Sequence, residues 1–316
     1  MKPALDGFVL IDKPAGPNCR EVLDALQRRL GVRGLGHAGT LDPLASGLLI
    51  VLLGRAVRLQ QHFMQGRKRY EAGIKFGQTS ATDDGEGPFT DGGPVPPDLL
   101  TAVHALLPRF IGPQLQEPPA MSALRVQGRR AWQSARAGKP LALRPRSITM
   151  HSLEARASSE PDAVDISIEC SSGTYVRSLA RDLGRALGCG AWVKSLRRTQ
   201  CGVLRVEDAL PAEAISAADV RPIGLALGDC VRVDVEAAEA LRLHQGAVLE
   251  LVVPAGEGPR FAWHAGAPFC RLLTVEGGVR SGGTLLPIAR CPASAQEFAH
   301  HFSKGGGGDD TLLQGE

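Results

Sequence analysis

Aromatic side chains make up only 4% of this 316-residue sequence, and just two of them are tyrosines, Tyr70 and Tyr175. The seven cysteines form no C-x-x-C pair and are odd in number, which argues against a disulfide framework and against a zinc site. The eight histidines do not cluster with acids at ligand spacing, apart from the adjacent His300-His301, so no metal is expected. No apolar run approaches the roughly 18 residues of a membrane span. Met1-Lys2-Pro3 leads to Asp6 and Asp12 without a signal-peptide pattern, and the expected location is the cytoplasm.

Acids are missing from one stretch. Residues 118 to 153 contain no Asp or Glu but carry Arg125, Arg129, Arg130, Arg136, Lys139, Arg144 and Arg146. Such an excess is an electrostatic footprint for a polyanion, because each neutralised phosphate releases condensed counterions. Residues 208 to 257, by contrast, hold nine acids against three arginines, so the net charge of +3 hides a strong asymmetry. The length allows one large domain and a small one.

Phe8-Val9-Leu10-Ile11 reads as a strand entering the turn Asp12-Lys13-Pro14-Ala15-Gly16. Asn18 and Glu21 form a capping box for a helix over 19 to 30, stopped by Gly31. Residues 48 to 53 read as a buried strand, 55 to 65 as a helix, 70 to 76 as a strand and 97 to 107 as a helix. The acid-free segment reads as a helical excursion around 125 to 138. Beyond it come a strand over 164 to 170, a helix over 175 to 187 ended by Gly188, and a return to the sheet over 193 to 206. Past about residue 229, short Val/Gly/Pro-rich segments suggest a compact β domain, and 304 to 316, with four consecutive glycines, a disordered tail. The alternation indicates α/β architecture with a mixed sheet.

Gly36-His37-Ala38-Gly39-Thr40-Leu41-Asp42-Pro43-Leu44-Ala45-Ser46-Gly47 sets one carboxylate in a glycine-framed corner. Pro43 fixes its own φ and keeps Asp42 out of the helical region, so the acid is presented on a stiff extended turn. Taken alone, Asp before Pro is more often a turn former or helix cap. Gly34-Leu35-Gly36-His37-Ala38-Gly39 also satisfies G-x-G-x-x-G, but a dinucleotide fold needs a strand before it and a helix after it. Here a helix precedes it, while Pro43 and Gly47 interrupt the residues where the second helix should run, which excludes the nucleotide reading. The acidic pair Asp83-Asp84 lacks the spacing of a calcium loop.

The run from Gly36 to Leu49 resembles the active-site motif of the TruB-type tRNA pseudouridine-55 synthases. Asp12-Lys13-Pro14, Lys68-Arg69-Tyr70, Ser172-Gly173-Thr174-Tyr175-Val176-Arg177, Asp182-Leu183-Gly184 and Leu196-Arg197-Arg198-Thr199 extend the likeness over about residues 7 to 205. The resemblance implies an α/β (α+β) fold: a mixed-sheet catalytic domain over 1–229 with a basic helical insertion at about 110–152, a PUA-like C-terminal β domain over 230–303, and the tail at 304–316. It implies isomerisation of uridine to pseudouridine at position 55 in the T-arm loop of tRNA, with no cofactor, ATP or metal, and with no membrane or obligate protein partner.

By the same resemblance Asp42 is the catalytic acid and Arg177 keeps it ionised and oriented. Tyr70 stacks on the extruded base and is implicated in removing its C5 proton, the backbone around Tyr175 and Leu196 reads the base's polar edge, His37 fills space vacated in the RNA loop, and Lys13 supports the active-site loop. Arg125, Arg129, Arg130, Lys68 and Arg69 would contact the RNA backbone. Met121 and Arg125 depart from the Tyr and Lys common in the family, and Asn18-Cys19 from its Ser or Thr. The competing readings are a non-catalytic RNA-binding or tRNA-folding module with a vestigial Asp42, and a guide-RNA-dependent rRNA pseudouridine synthase.

Overall fold

A computed structural model describes residues 5–284 apart from 127, 140, 228, 229, 257, 258, 265, 266 and 276. The expected tail at 304–316, the end of the C-terminal domain at 285–303 and His300-His301 lie outside the described residues.

The unbroken apolar run over 48 to 53 has a simple cause: both faces of its strand are covered, so no polar alternation is needed. In chain order the first half gives β1 (Gly7–Lys13), α1 (Cys19–Leu30), β2 (Gly36–Ala38), β3 (Ala45–Leu53), α2 (Gln60–Gln65), β4 (Lys68–Phe76), the hairpin β5 (Gln78–Ser80) and β6 (Phe89–Asp91), and α3 (Leu99–Leu106). The second half adds β7 (Gly112–Gln116), β8 (Arg125–Val126), β9 (Arg129–Arg130), α4 (Ala131–Arg136), β10 (Arg146–Ala157), β11 (Ala163–Cys170), α5 (Val176–Leu187), β12 (Ala191–Cys201) and β13 (Leu204–Arg205). Among the described residues, nine strands make one mixed sheet with the path β1-β3-β12-β4-β11-β10-β7, to which β2 adds on β3 and β13 on β12.

Val9, Ile11, Leu49 and Val51 belong to one apolar cluster with residues of α1, α3 and α5, while Phe8, Leu10, Leu48 and Ile50 belong to another with Phe63 of α2 and Leu204. Every β3 residue between 48 and 53 is at most 1% exposed, so the two covers share the burial along one strand. Helix α1 starts and stops where the sequence says: Asn18 and Glu21 form the capping box and Gly31 closes it in the left-handed region at φ 66°.

Four expectations shift. Residues 55 to 65 form a 3-10 turn over Gly54–Leu59 before the short α2, rather than one helix. The stretch 125 to 138 opens with the β8–β9 hairpin, and only then becomes α4. The ends of the basic insertion expected at about 110–152 are strands of the main sheet, because β7 pairs antiparallel with β10 from Arg146↔Gln116 to Met150↔Gly112. What leaves the sheet is therefore 117–145; that pairing joins residues some 30 positions apart and leaves no local pattern to read. Past residue 229 a four-stranded sheet β14 (Val231–Asp234), β15 (Arg260–His264), β16 (Ala267–Val275) and β17 (Gly278–Thr284) forms as expected, with an additional helix α6 (Ala237–His244) laid on it through Ala240 and Leu243. Phe261 of β15 packs into the same apolar cluster as Phe8 and Phe63, joining the small sheet to the large one. No helix among the described residues is long and apolar enough to cross a membrane.

The pairing of β12 with β3 is parallel, Leu196↔Ala45 through Arg198↔Gly47, and it sets the geometry around Asp42. Gly47 has φ +96°, and a Cβ there would lie 2.2 Å from the Arg198 carbonyl oxygen. Gly47→Ala is expected to destabilise the fold by at least about 2 kcal/mol, through strain and backbone overlap together, read as a lower thermal midpoint. An unchanged midpoint would refute the close approach.

Candidate active site

The chain from Gly39 to Asp42 leaves β2 and crosses the sheet where β4 and β12 lie side by side, facing the first turn of α5 and one flank of α2. Between them is a cavity of about 590 Å³. Its acid is pinned from behind. The Cys19 thiol, at the start of α1, accepts the Leu41 N–H at 3.2 Å and faces the Leu41 carbonyl at 3.3 Å. The Pro43 carbonyl accepts from Gly16 N–H at 2.8 Å and faces the Lys13 ammonium at 3.4 Å. Helix start, strand end and proline together hold Asp42 at the cavity wall.

Asp42 Oδ2 lies 2.9 Å from Arg177 Nε. Arg177 sits in the first turn of α5, is 5% exposed, and directs its other nitrogens to the Thr82 carbonyl at 3.0 Å, the Met121 carbonyl at 2.9 Å and the Asp84 carboxylate at 3.3 Å. One guanidinium thus ties together two carboxylates and two loops. Tyr70, on β4, is 7% exposed and pairs in register with Arg198 of β12. Arg198 is 1% exposed, and donates to the Leu48 carbonyl at 2.8 Å and the Gly39 carbonyl at 3.0 Å, so it fastens the glycine turn to the sheet.

Burial pushes the Asp42 carboxyl above the ordinary aspartate range, Arg177 pulls it back, and the neighbouring Asp84 pushes it up again. Burial likewise pushes the Tyr70 hydroxyl far above its usual value against the pull of Arg198, so Tyr70 is a neutral phenol at pH 7. For His37 burial lowers the pKa and the Arg198 charge lowers it further, which leaves a neutral ring.

Asp42, Tyr70, Tyr175, Arg177 and Leu196 all line the cavity. Others fall elsewhere. Lys13 is wholly buried, with its ammonium on the Pro14 carbonyl at 2.8 Å, and supports the Asp42 loop from outside the cavity. His37 lies on β2 and is not among the lining residues; its carbonyl accepts from Gln60, and its buried Nδ1 has no partner among the described residues. Lys68 is 6% exposed and donates to the Met64 and Gly66 carbonyls at 2.7 and 3.1 Å, so it is a wall residue rather than a surface contact for RNA. Arg69 is exposed and shares Glu169 with Arg67, and Arg129 and Arg130 are exposed on β9; Arg125 contributes its backbone to β8.

The backbone of Tyr175 is not free to read a base. Gln116, at the end of β7, accepts the Tyr175 N–H at 2.8 Å and donates to its carbonyl at 3.0 Å, clamping the residue that caps α5. Gln116, Asp84 and Arg198 are the site residues to which sequence reasoning gave no role. Asp84 stands in the acidic pair and Arg198 in the Leu196–Thr199 motif, but only the fold shows that one meets Arg177 and the other Tyr70. Gln116 carried no signal at all.

A mixed sheet thus carries a cavity lined by an arginine-held carboxylate and a buried tyrosine, the equipment of an enzyme that acts through a carboxylate on a flat ring. The family model described as TruB family pseudouridylate synthase (N terminal domain) matches residues 27–176, and that of the tRNA pseudouridylate synthase B C-terminal domain matches 177–228. The tRNA pseudouridine synthase B of Thermobifida fusca is 41% identical over 250 residues, 76% of this chain and 85% of its own length. That of Burkholderia lata is 40% identical over 267 residues, covering 81% and 82%. Among solved structures, a Cbf5-Nop10-Gar1 complex contains a chain that shares the fold at a TM-score of 0.68 and 23% identity, over 92% of this chain and 88% of that one. The chain belongs to the TruB family of pseudouridylate synthases.

Proposed function

We propose that this protein isomerises uridine to pseudouridine at position 55 in the T-arm loop of tRNA, acting in the cytoplasm without an obligate protein partner. The observation that carries the reading is the Asp42–Arg177 pair at 2.9 Å, set in a cavity that also holds Tyr70. Membership of the family and the relatives' names supply the RNA class. The reading assigns 1–229 to catalysis, 117–145 within it to an insertion that approaches RNA, and 230–303 to a PUA-like domain that supports binding.

The reaction breaks the N1–C1′ bond, turns the uracil and joins C5 to C1′; the C5 proton leaves and N1 gains one, so composition is unchanged. A uracil must first leave its stack, at a cost of a few kcal/mol that stacking and hydrogen bonds to the extruded base offset. Tyr70, a neutral ring held by the sheet, forms the floor on which it stacks. Asp42 Oδ2 is directed at Arg177, and the rest of the carboxylate, whose side chain is 34% exposed, faces the cavity as the anion that attacks C1′ or C6 or stabilises a glycal-forming elimination. Arg177 fixes its direction by a charge-assisted contact.

Because Asp42 acts as an anion and its pKa is raised, kcat/KM is expected to fall as pH drops through a value above the ordinary aspartate range. Removing a neighbouring negative charge lowers the pKa of a carboxyl, so Asp84→Asn will move this acid limb to lower pH; a limb that stays put would show that Asp84 does not act on Asp42. The direct test of function is tritium release from tRNA labelled at uridine C5, with mapping of the modified position. Release mapped to the T loop establishes the activity, whereas bound tRNA with no release favours a folding or binding module.

A further inference from the structure

Among the described residues, four cationic side chains line the catalytic cavity: Lys68, Arg146, Arg177 and Arg198. Three of them already direct their donors at the protein. Lys68 holds the Met64 and Gly66 carbonyls, Arg198 holds those of Leu48 and Gly39, and Arg177 holds two carboxylates and two carbonyls. Arg146 differs. Its residue is exposed, and its guanidinium has no hydrogen bond or ion pair among the described residues.

The position of Arg146 is nonetheless fixed. It opens β10 in register with Gln116, the residue that clamps Tyr175, and it lines the cavity together with Ser147 and Ser172. Its charge is felt by the Tyr175 hydroxyl, which places it on that side of the opening. No acid occurs between residues 118 and 153 to compete for it within its own segment.

A nucleotide that enters this cavity brings its own phosphodiester groups, and their charge must meet a donor at the mouth. A planar guanidinium offers two parallel N–H groups that match two phosphate oxygens. We propose that Arg146 binds a backbone phosphate next to the extruded nucleotide, as a substrate-binding residue separate from the Asp42 chemistry. The proposal rests on the RNA-isomerase reading above. It concerns docking, so it affects affinity and KM rather than kcat.

The test compares wild type, Arg146→Gln, Arg146→Lys and the control Arg20→Gln, which removes an exposed arginine of α1 paired with Asp24. Arg146→Gln should bind tRNA about tenfold more weakly at roughly 0.1 M salt, and the slope of log K against log salt should shrink by about 0.7 to 0.9, the signature of one lost phosphate contact. Turnover at saturation should stay within about twofold and the melting temperature should not move, with Arg146→Lys intermediate and Arg20→Gln like wild type. Neutral methylphosphonates placed one at a time around the target uridine of a T-arm stem-loop then locate the contact: at one position wild type loses what Arg146→Gln loses, and the two losses do not add. Additive losses at every position, an unchanged salt slope, or a loss confined to turnover would overturn the proposal. Should wild type release no tritium from tRNA, the isomerase reading falls, while the salt slope still decides whether Arg146 holds a phosphate.

Discussion

Asp42→Asn will reduce tritium release from C5-labelled tRNA by at least roughly a thousandfold, the scale expected when a reacting anion is removed from a shaped site. The same substitution will leave the melting temperature at neutral pH unchanged or raise it. The sign comes from the raised Asp42 pKa: protonation favours the folded state, so that contribution to stability is complete below the ordinary aspartate pKa and is lost as pH rises through the raised one. At pH 7 the folded protein carries a partly buried anion that asparagine relieves, while Arg177 keeps Asp84 and both carbonyls. A catalytic residue that costs stability is the usual trade at an active site. Loss of activity together with a fall of several degrees in the midpoint would mean that Asp42 is structural, and that the activity loss stems from misfolding.

Arg177→Met carries the largest expected loss of stability, about 3 to 5 kcal/mol at neutral pH, because it strands Asp84 and Asp42 without their shared counter-charge. Methionine fills a similar volume, so the loss is chiefly electrostatic, and it will shrink as pH falls and Asp42, whose carboxyl burial already raises, takes up its proton. Denaturant unfolding at about pH 5 and pH 8 measures this directly. A loss that is equal at both would assign the effect of Arg177 to packing and to its hydrogen bonds with the Thr82 and Met121 carbonyls rather than to the carboxylates. Arg177→Lys, which keeps the charge but lacks the planar fork, will recover part of the stability and less of the activity, since a point charge cannot serve Asp42, Asp84, Thr82 and Met121 at once.

Local chemistry was legible wherever it acts over a few residues. The capping box of Asn18 and Glu21 and the left-handed stop at Gly31 are satisfied within one turn of chain, and the sequence specified both; the Asp42-Pro43 corner was legible from proline's own stiffness, although Cys19, Gly16 and Lys13 hold it from afar. Scarcity helped as well: with only two tyrosines, Tyr70 and Tyr175 were conspicuous, and both line the cavity. The errors arose where partners are distant in sequence. Strands β7 and β10 read as parts of an insertion because neither alternates strongly, and only their mutual pairing makes them strands. Lys68 read as an accessible cation because burial is a property of the fold, and a lysine whose ammonium is met by carbonyls can be enclosed.

What the sequence determined alone was the family, the candidate acid, its partner arginine and the order of most core elements, because motifs and periodicity are local. Tertiary structure decided what those residues do to one another. The parallel register of β12 on β3 brings Leu196 and Arg198 to the turn that carries Asp42, and the end of β7 clamps the start of α5 so that Arg177 meets both Asp42 and Asp84. Which cations at the cavity are saturated, and that Arg146 has no hydrogen bond or ion pair among the described residues, was also decided there. Hydrogen bonds and ion pairs between residues distant in the chain depend on separations of a few ångströms, and only the packed sheet sets those.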